Sequence, residues 1–136
     1  MLTVKVRGVG LQDVFGAAFH ITWDPEVLSL DSMTAASPLT TSIPSESIIH
    51  EREGGRLLYG TARFHTSNWG QFDYKGVDLE DAVFATLTFA PVAPGETTIG
   101  FRDRGRDIRD SSLTPVEDLA WSGLPVTVSH ADEGGK

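Results

Sequence analysis

One run of the chain, FGAAFHITWDPEVL at residues 15–28, restricts the fold more than any other. Its odd positions Phe15, Ala17, Phe19, Ile21 and Trp23 are apolar, while Gly16, Ala18, His20 and Thr22 between them are small or polar. Alternation of this kind is the period of a strand with one face in a core. The pattern ends at Asp24-Pro25, because proline has no N–H for a ladder and restricts the residue before it. Asp24 can then cap a single helical turn through Glu26, Val27 and Leu28.

The rest of the chain repeats this logic in shorter pieces. Leu2, Val4 and Val6 alternate with Thr3, Lys5 and Arg7, predicting a strand broken by Gly8 and Gly10, with Gln12 and Asp13 turning into the next one. Extended alternation resumes at Leu28 and Leu30. Residues 32–47 read as a long Ser-, Thr- and Pro-rich surface loop with a short edge strand. Ile48, Ile49 and His50 and the run 57–64 flank Gly54-Gly55, where positive φ permits a hairpin. In the second arm Leu58, Gly60, Ala62 and Phe64 are assigned inward, and Leu57, Tyr59, Thr61 and Arg63 outward. Val83, Ala85, Leu87 and Phe89 form a central strand with Phe84 on its opposite, partly covered face. Pro94-Gly95 turns into a strand at 97–101, and residues 119–128 close the fold, with Trp23 and Trp121 read as core.

At 136 residues the chain fits one domain, assigned to 1–129, with 130–136 as a tail or linker. Many short apolar runs separated by Gly, Pro, Ser and Asp select an all-β sandwich or barrel. Nineteen acidic against eleven basic side chains give a net charge of -8, which opposes nucleic-acid binding through phosphates. The absence of cysteine removes disulfides, zinc thiolates and thiol nucleophiles. No apolar run is long enough for a membrane span, and the N-terminus has no signal-peptide core, so a secreted parent implies that this is an excised domain.

Together TVKVRGV, GAAFHITWDPEVLSL, GGRLLYGTARF, DAVFATLTF, APGETTIGF and WSGLPVTVS, in that order over about residues 2 to 129, resemble the cohesin family. The resemblance implies a jelly-roll β-sandwich of about eight or nine strands, related in architecture to carbohydrate-binding modules. It also implies a non-catalytic role: a cohesin receives a calcium-loaded dockerin and so anchors enzymes or surface proteins on a bacterial scaffoldin, in polysaccharide breakdown outside the cell. Such domains carry a further strand ahead of the segment that begins here at Leu2, pairing with the last strand; without it an edge is exposed or the sheet closes differently. Counted back from Asp24-Pro25, Ala18 and His20 replace the polar Asn and Asp of cellulosomal cohesins, and Arg63 replaces an acidic residue. This pattern is similar to divergent cohesin-like modules outside cellulosomes.

The candidate partner-binding residues are therefore Ala18, His20, Thr22, Tyr59, Thr61 and Arg63, on a strand face that is either a docking surface or plainly solvated. A second reading places sugar binding on Trp69, Phe72 and Tyr74, whose rings either stack on a polysaccharide or fold inward to cap the core. A third is a structural domain of a cell-surface or secretion assembly. Catalysis is not expected: no Gly-x-Ser-x-Gly elbow occurs, and the neighbours Glu117 and Asp118 point to opposite strand faces. His20, His50, His65 and His130 lack metal-ligand spacing. Asp103, Asp107 and Asp110 match no calcium-loop pattern, which leaves a structural calcium ion in an aspartate-rich loop as the one metal to consider. The arginine–aspartate run 102–110 nearly cancels its own charge and reads as solvated pairs.

Overall fold

A computed structural model describes residues 1–36, 38–40, 45–63, 67–68, 71–72, 76–103, 105–117 and 119–129. Its longest element is β1 (Leu2–Thr22), a single continuous strand. The two strands expected on either side of Gly8 and Gly10 are thus one. Gly10 and Asp13 adopt left-handed conformations (φ 65° and 54°), which bend the strand without ending it. Aspartate tolerates that region better than most residues, and here local bonds hold it. The Asp13 N–H donates to Asp78 Oδ1 (2.9 Å), while its carboxylate accepts from the Gly76 N–H (2.8 Å) and the Ser111 hydroxyl (2.7 Å). The Ser111 hydroxyl, ahead of the backbone N–H groups of Gly76 and Ser111, holds the Asp13 carboxyl below the usual carboxylate value against an opposing effect of burial.

At this bend β1 changes partners. Residues 2–14 pair antiparallel with β7 (Val77–Pro91), which pairs on its other edge with β2 (Leu28–Ala35). The C-terminal half pairs with β4 (Arg56–Arg63) on one side, and β4 with β3 (Ser45–Arg52). On its other side lie β8 (Gly95–Phe101) and β9 (Asp107–Asp110), and β8 is flanked by β10 (Leu124–Val128). The result is an all-β jelly-roll sandwich whose two layers are stitched by β1, with a separate ribbon of β5 (Ser67–Asn68) and β6 (Gln71–Phe72). The last strand closes against β8, and among the described residues the second edge of β1 over its first half pairs with no strand.

Phe15, Ala17, Phe19, Ile21 and Trp23 all face the core, as their alternation predicts. After them the Asp24 carboxylate caps the Glu26 N–H (2.9 Å), and the Val27 and Leu28 N–H groups close the turn onto the Asp24 carbonyl (3.1 and 3.0 Å). Phe84, expected on a separate face, enters the same core. A bulge matches Val6 to Ala85 and Arg7 to Val83, so Phe84 slips inward beside Ala85. Gly8 makes room: a Cβ there would lie 2.6 Å from the Phe84 ring.

The facing of β4 is the main correction. Leu57, Tyr59, Thr61 and Arg63 are buried, while Leu58 and Gly60 are half-buried and Ala62 is exposed. Opposed residues of an antiparallel pair share a face, and Phe19 opposes Tyr59 while Ile21 opposes Leu57. The inward face of β1 therefore dictates that of β4. Apolar residues on both sides of the strand, Leu57 and Leu58, leave the phase open until that pairing is known.

Candidate protein-binding face

Of the residues expected to meet a partner, Ala18, His20 and Thr22 stand half-buried on the outward face of β1. Tyr59, Thr61 and Arg63 do not join them. Tyr59 is fully enclosed, stacked on Phe19 at 4.8 Å, and donates its hydroxyl proton to the Ala36 carbonyl (3.1 Å). Burial raises its phenol pKa above the ordinary value, with bonds to Ser47 and Thr61 opposing. Thr61, 5% exposed, donates to the Glu46 carbonyl (3.1 Å). Arg63, 6% exposed, donates from Nη1 to the Leu39 carbonyl (3.2 Å). We expect Arg63→Ala to lower unfolding free energy by about 2–3 kcal/mol, the scale for a lost charged hydrogen bond, and to leave partner affinity unchanged once folded. Unaltered denaturant unfolding together with lost binding would contradict this placement.

The ladder registers identify which residues replace them. Ala18 lies opposite Gly60 and Gly60 opposite Ile48; His20 lies opposite Leu58 and Leu58 opposite His50; Thr22 lies opposite Arg56 and Arg56 opposite Arg52. Gly16, Ala62 and Glu46 form a further row. This face has a flat centre of small side chains, flanked by Leu58 and by Ile48, which is 45% exposed. A row of small residues lets another backbone approach closely, and an exposed β-branched residue beside it offers apolar area to cover.

One end of the face is cationic. The Arg102 N–H donates to the His20 carbonyl (2.9 Å), and the following loop lies against the imidazole, where a Cβ on Gly105 would come within 3.0 Å of Cδ2. Burial, then the fields of Arg102, Arg56 and Arg52, lower the His20 pKa below the ordinary histidine value. His20 Nδ1 and Arg56 Nε are both shielded from water without a hydrogen-bond partner among the described residues. Three other arginines are paired with carboxylates: Arg109 with Asp107 (2.6 Å), Arg106 with Asp103 (3.6 Å) and Arg7 with Asp81 (2.8 Å). Arg106 also sits over the ring of Trp121 at 5.4 Å, a cation–π contact.

Elsewhere, an open groove of about 740 Å³ follows the free edge of β1 and is lined by Phe19, Phe84, Phe101 and Trp121. Among the described residues its lining includes no histidine or carboxylate. Among the described residues no group of three or more His, Asp or Glu stands where it could hold a metal ion, and no helix is long and apolar enough to cross a membrane. Of the aromatic trio, Trp69 and Tyr74 lie outside the described residues, and the backbone of Phe72 pairs with that of Ser67 in the ribbon. His65 and His130 also lie outside them.

A jelly-roll sandwich with a flat, three-stranded outward surface defines a class of domains that present a sheet face. Within that class the chain has a cohesin-like fold. The third cohesin of ScaC from Acetivibrio cellulolyticus, solved with the ScaB dockerin, superposes with a TM-score of 0.71 at 14% identity, over 94% of this chain and 88% of that one. A cohesin of Clostridium acetobutylicum gives 0.68 at 15% identity over 96% and 82%. A non-cellulosomal cohesin of the archaeon Archaeoglobus fulgidus gives 0.65 at 16% identity over 96% and 83%. No protein-family model and no curated protein sequence matches the chain.

The residues of this candidate face that the sequence alone does not point to are Ile48, Leu58, Arg52, Arg56 and Arg102. The alternation of β1, carried across to β4 through an assumed antiparallel pairing, would have found Leu58. No local signal links Arg102 to the hairpin arginines.

Proposed function

We propose that this domain is a non-catalytic docking module that receives a dockerin-like partner on the outward face of β3, β4 and β1, outside the cell or at its surface. The observation that carries the reading is the face itself: Ala18, Gly60 and Ala62 leave its centre flat, and Ile48 and Leu58 supply apolar area. Support also comes from the fold, since a similar structure was solved with a dockerin bound. Calcium belongs to the partner in this reading.

The test is calorimetry against a panel of calcium-loaded dockerin domains. Ile48→Asp puts a charge on the apolar flank of the contact and is expected to weaken binding at least about a hundredfold, within the range of a hot-spot loss. Its exposure in the free domain predicts an unchanged melting temperature. Val92→Asp, at an exposed apolar residue outside the face, is the control. Binding that survives Ile48→Asp but fails with Val92→Asp would move the site elsewhere.

A further inference from the structure

In a chain of net charge -8, the docking face concentrates positive charge at one end. Arg52 and Arg56 face each other across the hairpin, Arg56 faces Thr22, and Arg102 follows β8 beside His20. Arg7, Arg106 and Arg109 have carboxylate partners, whereas Arg52, Arg56 and Arg102 form no ion pair among the described residues. Arg52, Arg56 and Arg102 therefore converge from three segments on one corner of the face. Arg56 Nε and His20 Nδ1, shielded and without partners, show that described groups of the chain do not complete the hydrogen bonding there.

We infer that this corner recognises the carboxylates of an acidic segment on the partner protein, with Asp or Glu side chains seated among Arg52, Arg56 and Arg102 while apolar partner residues cover Ile48 and Leu58. The inference rests on the face being the docking surface proposed above. Guanidinium groups bind carboxylates through paired N–H donors, and loss of water on docking strengthens the contact. A nucleic acid is disfavoured because its long phosphate backbone must also approach the acidic remainder of the domain. A second copy is disfavoured because its own face sets only Glu46 and Asp107 against three arginines among the described residues, and Asp107 is held by Arg109.

The same geometry sets a pH dependence. His20 is faced by Leu58 and Arg56 from β4, by His50 and Arg52 from β3, by Arg102 and the Gly105 loop, and by Asp107 across from Ala18. Burial, then the fields of Arg102, Arg56 and Arg52, lower its pKa in the free domain; a carboxylate among the arginines opposes their fields and favours the imidazolium. Binding then takes up a proton and tightens as pH falls through the histidine range, the gain being complete only below the lowered value of the free domain.

The experiment uses hexaglutamate as probe, with hexalysine and a short DNA duplex as comparisons, followed by NMR of the arginine Nε–Hε signals of the whole domain. Hexaglutamate is expected to shift the signals of Arg52, Arg56 and Arg102, several-fold more weakly at about 0.3 M salt than at low salt. Arg56→Glu with Arg102→Glu is expected to abolish the shifts, and His20→Gln to remove the pH dependence while His50→Gln keeps it. Signals that ignore hexaglutamate, that respond instead to the duplex, or that report salt-sensitive dimers in ultracentrifugation would overturn the inference. Against dockerins, loss of binding in Ile48→Asp with none in the charge reversal keeps the docking face and sinks the carboxylate site. Hexaglutamate binding without any dockerin binding keeps the carboxylate site and removes the dockerin as its partner.

Discussion

Replacing Phe19 with alanine is expected to remove about 3–5 kcal/mol of unfolding free energy, the range for a buried aromatic truncated in a packed core. Phe19 is 1% exposed and joins the two layers of the sandwich. It stacks on Tyr59 within its own layer and meets Phe84 of the opposite layer edge-on at 5.9 Å. On its other flank it meets the rings of Phe101 (5.4 Å) and Trp121 (6.2 Å). Truncation would separate all four rings from their common neighbour and extend the groove along β1, whose wall Phe19 forms, into the core. Against a total stability of roughly 5–15 kcal/mol the domain would be left marginal. Urea unfolding measures the loss; a change below about 1 kcal/mol would show that the rings repack without Phe19. Phe19→Leu, which keeps most of the volume, should lose markedly less.

Gly55→Ala is expected to have a comparable effect for a different reason. Gly55 has φ 73°, and a Cβ there would overlap the Trp23 carbonyl oxygen and lie 2.8 Å from Pro25 Cδ. The segments are tied as well, since the Trp23 N–H donates to the Gly55 carbonyl (3.0 Å). The hairpin turn and the Asp-Pro turn thus pack backbone against backbone, with no flexible side chain able to move away. Left-handed strain contributes about 1–2 kcal/mol and overpacking a further 1–3 kcal/mol, on the order of the Phe19 loss when both apply. Gly54 supplies the internal control: its φ is 79°, yet nothing lies within 4 Å of an added Cβ. Gly54→Ala should show the strain alone. Equal losses at the two positions would mean that the contact with Trp23 contributes nothing.

These two sites also separate local from long-range information in the sequence. The inward face of β1 from Phe15 to Trp23 is legible because one phase of the alternation is wholly apolar and the other is not. The Asp24 turn is legible because proline and a capping carboxylate act locally. In β4 the adjacent residues Leu57 and Leu58 support either phase, so its facing depends on pairing with β1, a long-range fact. Gly8 and Gly10 read as a break, yet a left-handed glycine within a pair bends a strand that the partner keeps continuous. Phe84 is misplaced by strict alternation because a bulge adds one residue to its strand. The docking face follows the same division: Ala18, His20 and Thr22 come directly from β1, whereas Arg102 reaches the hairpin arginines only through the β1–β8 ladder.

Hydrogen exchange of the domain with and without a bound calcium-loaded dockerin tests the central claim most directly. The outward face of β3, β4 and β1 predicts slowed exchange at Ile48, Leu58, Gly60, Ala18 and His20, with residues 2–11 unchanged along the free edge of β1. Protection confined to residues 2–11 and the groove beside them, with none at Ile48 or Gly60, would contradict it.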